Sequence, residues 1–147
     1  MKTGNQPPLA VLLVDDDPDD IFLFKEAAEQ AAFDIQVLAA EPEVIYQYLE
    51  AGKPDVILLD INMPQKDGIE YLLELKSNAE YKEIPIIMYS TSKYKIGDSF
   101  TAGANKYFVK PNTFDDLVKL IDQLNQRTWT TKSTSEKDNF FIDLNSM

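Results

Sequence analysis

Five polar residues in this 147-residue chain stand where they can do chemistry together. Asp15 and Asp16 follow the apolar run Leu9-Ala10-Val11-Leu12-Leu13-Val14. Asp60 closes Val56-Ile57-Leu58-Leu59, Ser90 closes Ile84-Pro85-Ile86-Ile87-Met88-Tyr89, and Lys110 closes Asn105-Lys106-Tyr107-Phe108-Val109. Each sits at the end of what reads as a short strand. In an open parallel sheet the carboxyl ends of the strands share one edge, and ligands bind there. Three carboxylates converging on that edge repel one another and hold protons unless a cation joins them. Oxygen ligands around a small site suit Mg²⁺, which keeps several of its waters. An ammonium and a hydroxyl beside them point to an anion that arrives later, and a phosphoryl group fits best. Taken singly, strand-end acids, a lysine before Pro111 and a serine are ordinary loop-entry residues. Their conjunction at one edge carries the reading.

Composition removes several other chemistries. The chain has no cysteine and no histidine. Disulfides, thiolate or imidazole metal sites, serine–histidine triads and a phosphohistidine donor are therefore excluded. The formal net charge is −11, and Arg127 is the one arginine. Nucleic-acid binding needs clustered Lys and Arg, so no nucleic-acid partner is expected. The longest apolar runs are too short to span a bilayer, and the first eight residues lack the apolar core of a signal peptide. A cytoplasmic protein that binds cations or basic partners is expected.

The elements that would position the five residues follow from period and punctuation. The strands at 9–14, 35–39, 55–60, 84–90 and 105–110 alternate with amphipathic stretches. Asp17 and Pro18 read as an N-cap and first-turn pair for a helix running to about Ala32, with Ile21, Phe24, Ala28 and Ala31 on one face. Pro42 starts a second helix, which Gly52 ends. A third runs from about Asp67 to Asn78. The fourth, about Tyr94 to Ala102, is weakened by Gly97. Thr113 and Asp116 resemble a capping box for the last helix, which carries Leu117, Leu120, Ile121 and Leu124. Five strands alternating with five helices predict an α/β fold: a doubly wound (βα)5 parallel sheet covered on both faces. Residues 1–8 read as a flexible arm, 9–127 as one domain, and 128–147 as a tail. In that tail the apolar patch Phe140-Phe141-Ile142 is a candidate for docking.

On these residues the chain resembles the receiver domain of two-component response regulators, of the stand-alone, chemotaxis-regulator type. The matching pieces are Val11 to Asp17, Val56 to Pro64, Asp67-Gly68, Pro85 to Ser90 and Lys106 to Pro111, in that order. The resemblance implies the flavodoxin-like strand order 2-1-3-4-5. It makes Asp60 the phosphoacceptor, receiving its phosphoryl group from a histidine kinase or phosphotransfer protein in a two-component system or phosphorelay. Asp16 and Asp60 would bind Mg²⁺ directly with the backbone carbonyl of Asn62, and Asp15 would reach it mainly through water. Lys110 would offset charge on the phosphoryl oxygens and Ser90 would donate its hydroxyl to them. Tyr107 would change rotamer with Ser90, altering the surface of the fourth helix, fifth strand and fifth helix. Downstream signalling would then run through protein contacts, by a monomer or a phosphorylation-favoured homodimer, with no membrane partner. Such a protein is no enzyme in the ordinary sense, though slow autodephosphorylation is expected. The Lys110–Pro111 bond is expected to be cis. Thr91 stands where the family more often has a smaller residue, which narrows access to Asp60. Asn62 and Ser92 occupy positions that tune phosphoryl lifetime. Asp17 reads as a cap, with Asp19 and Asp20 favouring the helix N-terminus.

Two other readings compete. Asp15, Asp17, Asp19 and Glu26 match positions 1, 3, 5 and 12 of an EF-hand-type calcium-binding loop. Asp20, however, stands where the turn wants Gly, and a strand precedes the loop instead of a helix. A haloacid-dehalogenase-like phosphatase also uses a strand-end Asp with Mg²⁺ and Lys. It needs a second acid two residues after the nucleophile, where Asn62 stands here, and its nucleophile follows the first strand.

Overall fold

The computed structural model describes residues 7–127, 129 and 140–146. Six parallel strands form one sheet in the order β2-β1-β3-β4-β5-β6. The strands are β1 Leu9–Val14, β2 Ile35–Ala40, β3 Val56–Asp60, β4 Ile86–Ser90, β5 Lys106–Val109 and β6 Phe141–Ile142. The helices are α1 Pro18–Glu29, α2 Ile45–Ala51, α3 Gly68–Ser77, α4 Ile96–Ala102 and α5 Phe114–Leu124. The expected order of the first five strands is therefore present, with a two-residue sixth added at the β5 edge.

Period two sorts the strand residues into two cores. Leu12, Val14, Ile57, Leu59, Met88, Tyr107 and Val109 face α2, α3 and α4, meeting Ile45, Leu49, Leu72 and Leu75. Leu9, Val11, Leu13, Val56, Leu58, Tyr89 and Phe108 face α1 and α5, meeting Phe24, Ala28, Leu120 and Ile121. Every residue of β3 and β4 is buried, as in strands covered on both faces.

Capping side chains set where the helices start. Asp17 accepts from the Asp19 amide at 2.9 Å, Asp67 from Glu70 at 3.0 Å and Thr113 from Asp116 at 3.1 Å. Without such a cap, α4 is shorter than its pattern predicts, starting at Ile96 after Lys95. The first helix ends at Glu29, three residues before the expected Ala32. At Pro42 the chain makes a single 3₁₀ turn, Pro42–Val44, before α2 begins.

One expectation is corrected. The chain contains no cis peptide bond among the described residues, so Lys110–Pro111 is trans. This loop is held by hydrogen bonds to Asn145, whose amide donates to the Lys110 carbonyl at 3.0 Å and accepts from the Asn112 amide at 2.8 Å. The short β6 adds to the five expected strands. β6 pairs with β5 by matching Phe141 to Tyr107 and Ile142 to Phe108. Phe140 is 1% exposed and meets Phe100 of α4 edge-on at 5.2 Å between ring centres. Asp143 pairs with Lys93 at 2.7 Å, and the last 3₁₀ turn, Leu144–Ser146, lies against α5. Segment 140–146 thus covers the outer edge of β5 between α4 and α5. The expected N-terminal arm lies outside the described residues except for Pro7 and Pro8, as do positions 128, 130–139 and 147 of the tail.

A buried phenylalanine replaced by alanine typically costs about 3 kcal/mol or more through lost transfer energy and the cavity left behind. Phe140→Ala should therefore lower the urea midpoint by an amount equivalent to about 3 kcal/mol, measured by tryptophan fluorescence. Phe141→Ala, on the half-exposed neighbour, should cost less than about 1 kcal/mol.

Candidate functional site

The carboxyl ends of β1, β3, β4 and β5 bring Asp15, Asp16, Asp60, Ser90 and Lys110 to one edge of the sheet. Asp15 and Ser90 are fully buried, Asp60 is 4% exposed, and Asp16 faces solvent. Carboxylate oxygens of Asp15, Asp16 and Asp60 lie within 4.8 Å of one another, a spacing that a single cation can bridge. The Lys110 ammonium is 3.0 Å from Asp15, 2.7 Å from Asp20 and 3.6 Å from Asp60. It also stands 5.1 Å from the centre of the Tyr89 ring. An open cleft of about 670 Å³ lies over this edge, lined by Asp16, Asp20, Asp60, Asn62, Thr91 and Lys110 among others.

Several backbone amides fix these side chains. Asp15 accepts from the Asp17 amide at 2.9 Å and gives its second oxygen to Lys110. Asp60 accepts from the Asn62 amide at 3.3 Å. The Ser90 hydroxyl oxygen accepts from the Asn62 side chain at 3.3 Å and from the Ser92 amide at 3.2 Å. Tyr107 is fully buried, and its hydroxyl donates to the Ser92 carbonyl. It shares the α4-side core with Val109, while Phe108 faces α1 and α5.

The electrostatics follow from burial. Loss of water around Asp60 pushes its acid up from the usual carboxylate range to about 7; Lys110 opposes this and Asp15 adds to it. Burial alone would depress the Lys110 ammonium, but Asp15, Asp20 and Asp60 more than offset that and raise it. Because the folded-state value of Asp60 exceeds its unfolded one, its contribution to stability is present in acid. That contribution is lost as pH rises through about 7. Ionising this carboxylate around neutral pH therefore carries a cost, which a bound cation relieves. The donor set is all oxygen, as a hard divalent ion prefers.

Two residues here were not singled out by strand ends. Asp20 was expected only to favour the helix N-terminus. It lies in the first turn of α1, beside Asp15, and its carboxylate meets the ammonium. Tyr89, one residue before Ser90, packs edge-on against Phe24 at 5.8 Å and offers its ring to Lys110. Its side chain faces the α1–α5 core, and that facing was readable from period two once Ser90 was placed.

Residues 11–122 match the family model of the response regulator receiver domain. The chain is 33% identical over 131 residues to response regulator Rcp1 of Synechocystis, covering 82% of this chain and 89% of that protein. It is 32% identical to the transcriptional regulatory protein TrcR of Mycobacterium tuberculosis, of which it spans 47%, about half. Among solved structures, the phosphorylated cyanobacterial phytochrome response regulator RcpA superposes with a TM-score of 0.72 at 30% identity. That match covers 87% of this chain and 98% of RcpA. The Mn²⁺-bound form of Rcp1 gives a TM-score of 0.69 at 29% identity, covering 86% and 98%.

Gly68 keeps the back of the site closed. It opens α3 and donates its amide to the Ile61 carbonyl at 2.9 Å. A Cβ there would stand 2.2 Å from the Asp60 carbonyl oxygen and 2.8 Å from the Ile61 Cα, both backbone atoms. Either the helix or the loop after Asp60 must move. Gly68→Ala should therefore destabilise the fold by about 1–3 kcal/mol. It should also weaken divalent-cation binding several-fold, read by calorimetric titration of the folded variant.

Proposed function

The chain belongs to the response regulator receiver family of phosphorylation-based two-component signalling proteins, and we propose that Asp60 is its phosphoacceptor. One observation carries this assignment. Asp60 stands buried at a strand end, within cation-bridging distance of Asp15 and Asp16 and beside the Lys110 ammonium, with the cleft above it. The donor is a phosphohistidine on a histidine kinase or phosphotransfer protein. An Asp60 carboxylate oxygen forms the new bond to phosphorus while the phosphorus–nitrogen bond breaks. The electron pair stays with the donor imidazole, which then takes a proton.

Receiver domains use a divalent metal, and the Rcp1 structure described above contains Mn²⁺. The ion proposed here is Mg²⁺, held by Asp16, Asp60 and the Asn62 carbonyl. Asp15 acts through water, since both of its oxygens already accept hydrogen bonds. The ion supplies positive charge against the phosphoryl oxygens, which is most of what phosphoryl transfer asks of a protein. Lys110, 3.6 Å from Asp60, would supply the rest. Ser90 Oγ already accepts two hydrogen bonds, which leaves its proton to give to the phosphoryl group.

The protein is thus a phosphoacceptor, with slow loss of the phosphoryl group to water as its own reaction. Asn62 and Thr91 line the cleft over Asp60 and the Ser92 amide donates to the Ser90 hydroxyl; together these three set that rate. Movement of Ser90 toward the phosphoryl group is read by Tyr107 through the Ser92 carbonyl. The readout is contact with a protein partner or a second copy at the α4, β5 and α5 surface, where β6 now lies. None of the described helices is long and apolar enough to cross a membrane, and a cytoplasmic site of action fits the family. The calcium-loop reading loses its basis because a strand, β1, runs straight into Asp15 and Glu26 lies in α1. The phosphatase reading is not supported either, because the residue two after Asp60 is Asn62 and β3 is the third strand of the chain.

Incubation with acetyl phosphate and Mg²⁺ should add one phosphoryl group, removable by hydroxylamine, as intact-mass spectrometry reads it. Asp60→Asn should take none. Asp16→Asn should weaken Mg²⁺ binding at least about tenfold, since a ligand and a charge are lost together, whereas Asp19→Asn should change it little. Undiminished phosphorylation of Asp60→Asn would refute the assignment.

A further inference from the structure

Of the three carboxylates that meet Lys110, Asp20 comes nearest, at 2.7 Å against 3.0 Å to Asp15 and 3.6 Å to Asp60. An ammonium has three donors. Two already make hydrogen bonds, to Asp15 and to Asp20. A phosphoryl group on Asp60 brings several further acceptor oxygens and added negative charge. The third donor can serve one of them, and a second contact needs an existing partner to yield.

Exposure decides which partner that is. Asp15 is fully buried, and its other oxygen is tied to the Asp17 amide. Turning it away would strand a charge in the protein interior, which is costly. The Asp20 side chain is 35% exposed, at the mouth of the cleft on the first turn of α1. It can release Lys110 and return to water cheaply. We infer that Asp20 is a positioning residue that parks the Lys110 ammonium at the cleft mouth, so that full engagement of a phosphoryl group on Asp60 draws Lys110 off it. This rests on the phosphoacceptor reading above. Asp20 therefore restrains phosphoryl uptake, through competition for Lys110 and not through contact with the reacting atoms.

The test is the initial rate of phosphorylation by acetyl phosphate with saturating Mg²⁺. In that reaction a carboxylate oxygen of Asp60 bonds to phosphorus as the phosphorus–oxygen bond to acetate breaks, and acetate leaves with the electron pair. Asp20→Asn keeps the shape of the side chain and should raise the rate about three- to tenfold. Asp20→Glu, which restores a carboxylate, should bring it back toward the wild-type value. Asp19→Asn removes the same charge from the same helix turn without touching Lys110, and should change the rate less than about twofold. In a Lys110→Ala background the Asp20→Asn gain should vanish, because there is no ammonium left to compete for.

An unchanged or slower Asp20→Asn, or an equal gain without Lys110, would overturn the inference while leaving Asp60 as the acceptor. A wild-type protein that takes up no phosphoryl group would instead remove the acceptor reading, and this inference with it.

Discussion

Buried negative charge without enough positive charge beside it is the constraint on which this molecule turns. Asp15 and Asp60 are taken out of water at the end of a sheet covered on both faces, and among the described residues Lys110 is the ammonium that meets them. Burial takes water from Asp60, Lys110 offsets only part of that loss, and Asp15 adds to it, so that the Asp60 acid rises to about 7. A group in that condition gains from anything that brings positive charge to it. That explains how a fold stable enough to hold the site can still leave it responsive to a metal ion and a phosphoryl group.

The rest of the fold keeps this arrangement in place. Buried β3 and β4 hold Asp60 and Ser90 in adjacent register, with Asp60 opposite Tyr89. α3 presses Gly68 onto the backbone directly behind Asp60. From the other side, segment 140–146 reaches the loops that follow β4 and β5. Asp143 pairs with Lys93 just beyond Ser90, and Asn145 bonds the carbonyl of Lys110. Changes at the phosphoryl site and changes at the β5 edge are therefore connected through a few polar contacts, with Tyr107 between them. A partner that approaches the α4, β5 and α5 surface meets the chain's own β6 first.

Much of this was legible in the sequence, for specific reasons. Apolar runs ending in Asp15, Asp60, Ser90 and Lys110 mark both the strands and their ligand-binding ends, because period and polarity change at the same residue. The caps at Asp17 and Thr113 gave sharp starts to α1 and α5, whereas the Asp67 cap of α3 emerges only in the structure. Asp20 was hidden because its contact depends on the height of α1 over the sheet, which no local pattern encodes. β6 was hidden for a related reason: two residues, Phe141 and Ile142, have no period of their own, and only the open edge of β5 makes them a strand. α4 came out short because neither a capping side chain nor a strong apolar stripe fixes its start.

If a cation completes a buried, under-neutralised Asp60, a pH titration followed on its ¹³C carboxyl resonance, without and then with saturating Mg²⁺, will show it. Without the ion the midpoint should lie near 7. With Mg²⁺ the midpoint should fall by more than about one unit, because the ion binds only the ionised form. A midpoint in the ordinary carboxylate range near 4, unmoved by Mg²⁺, would contradict it.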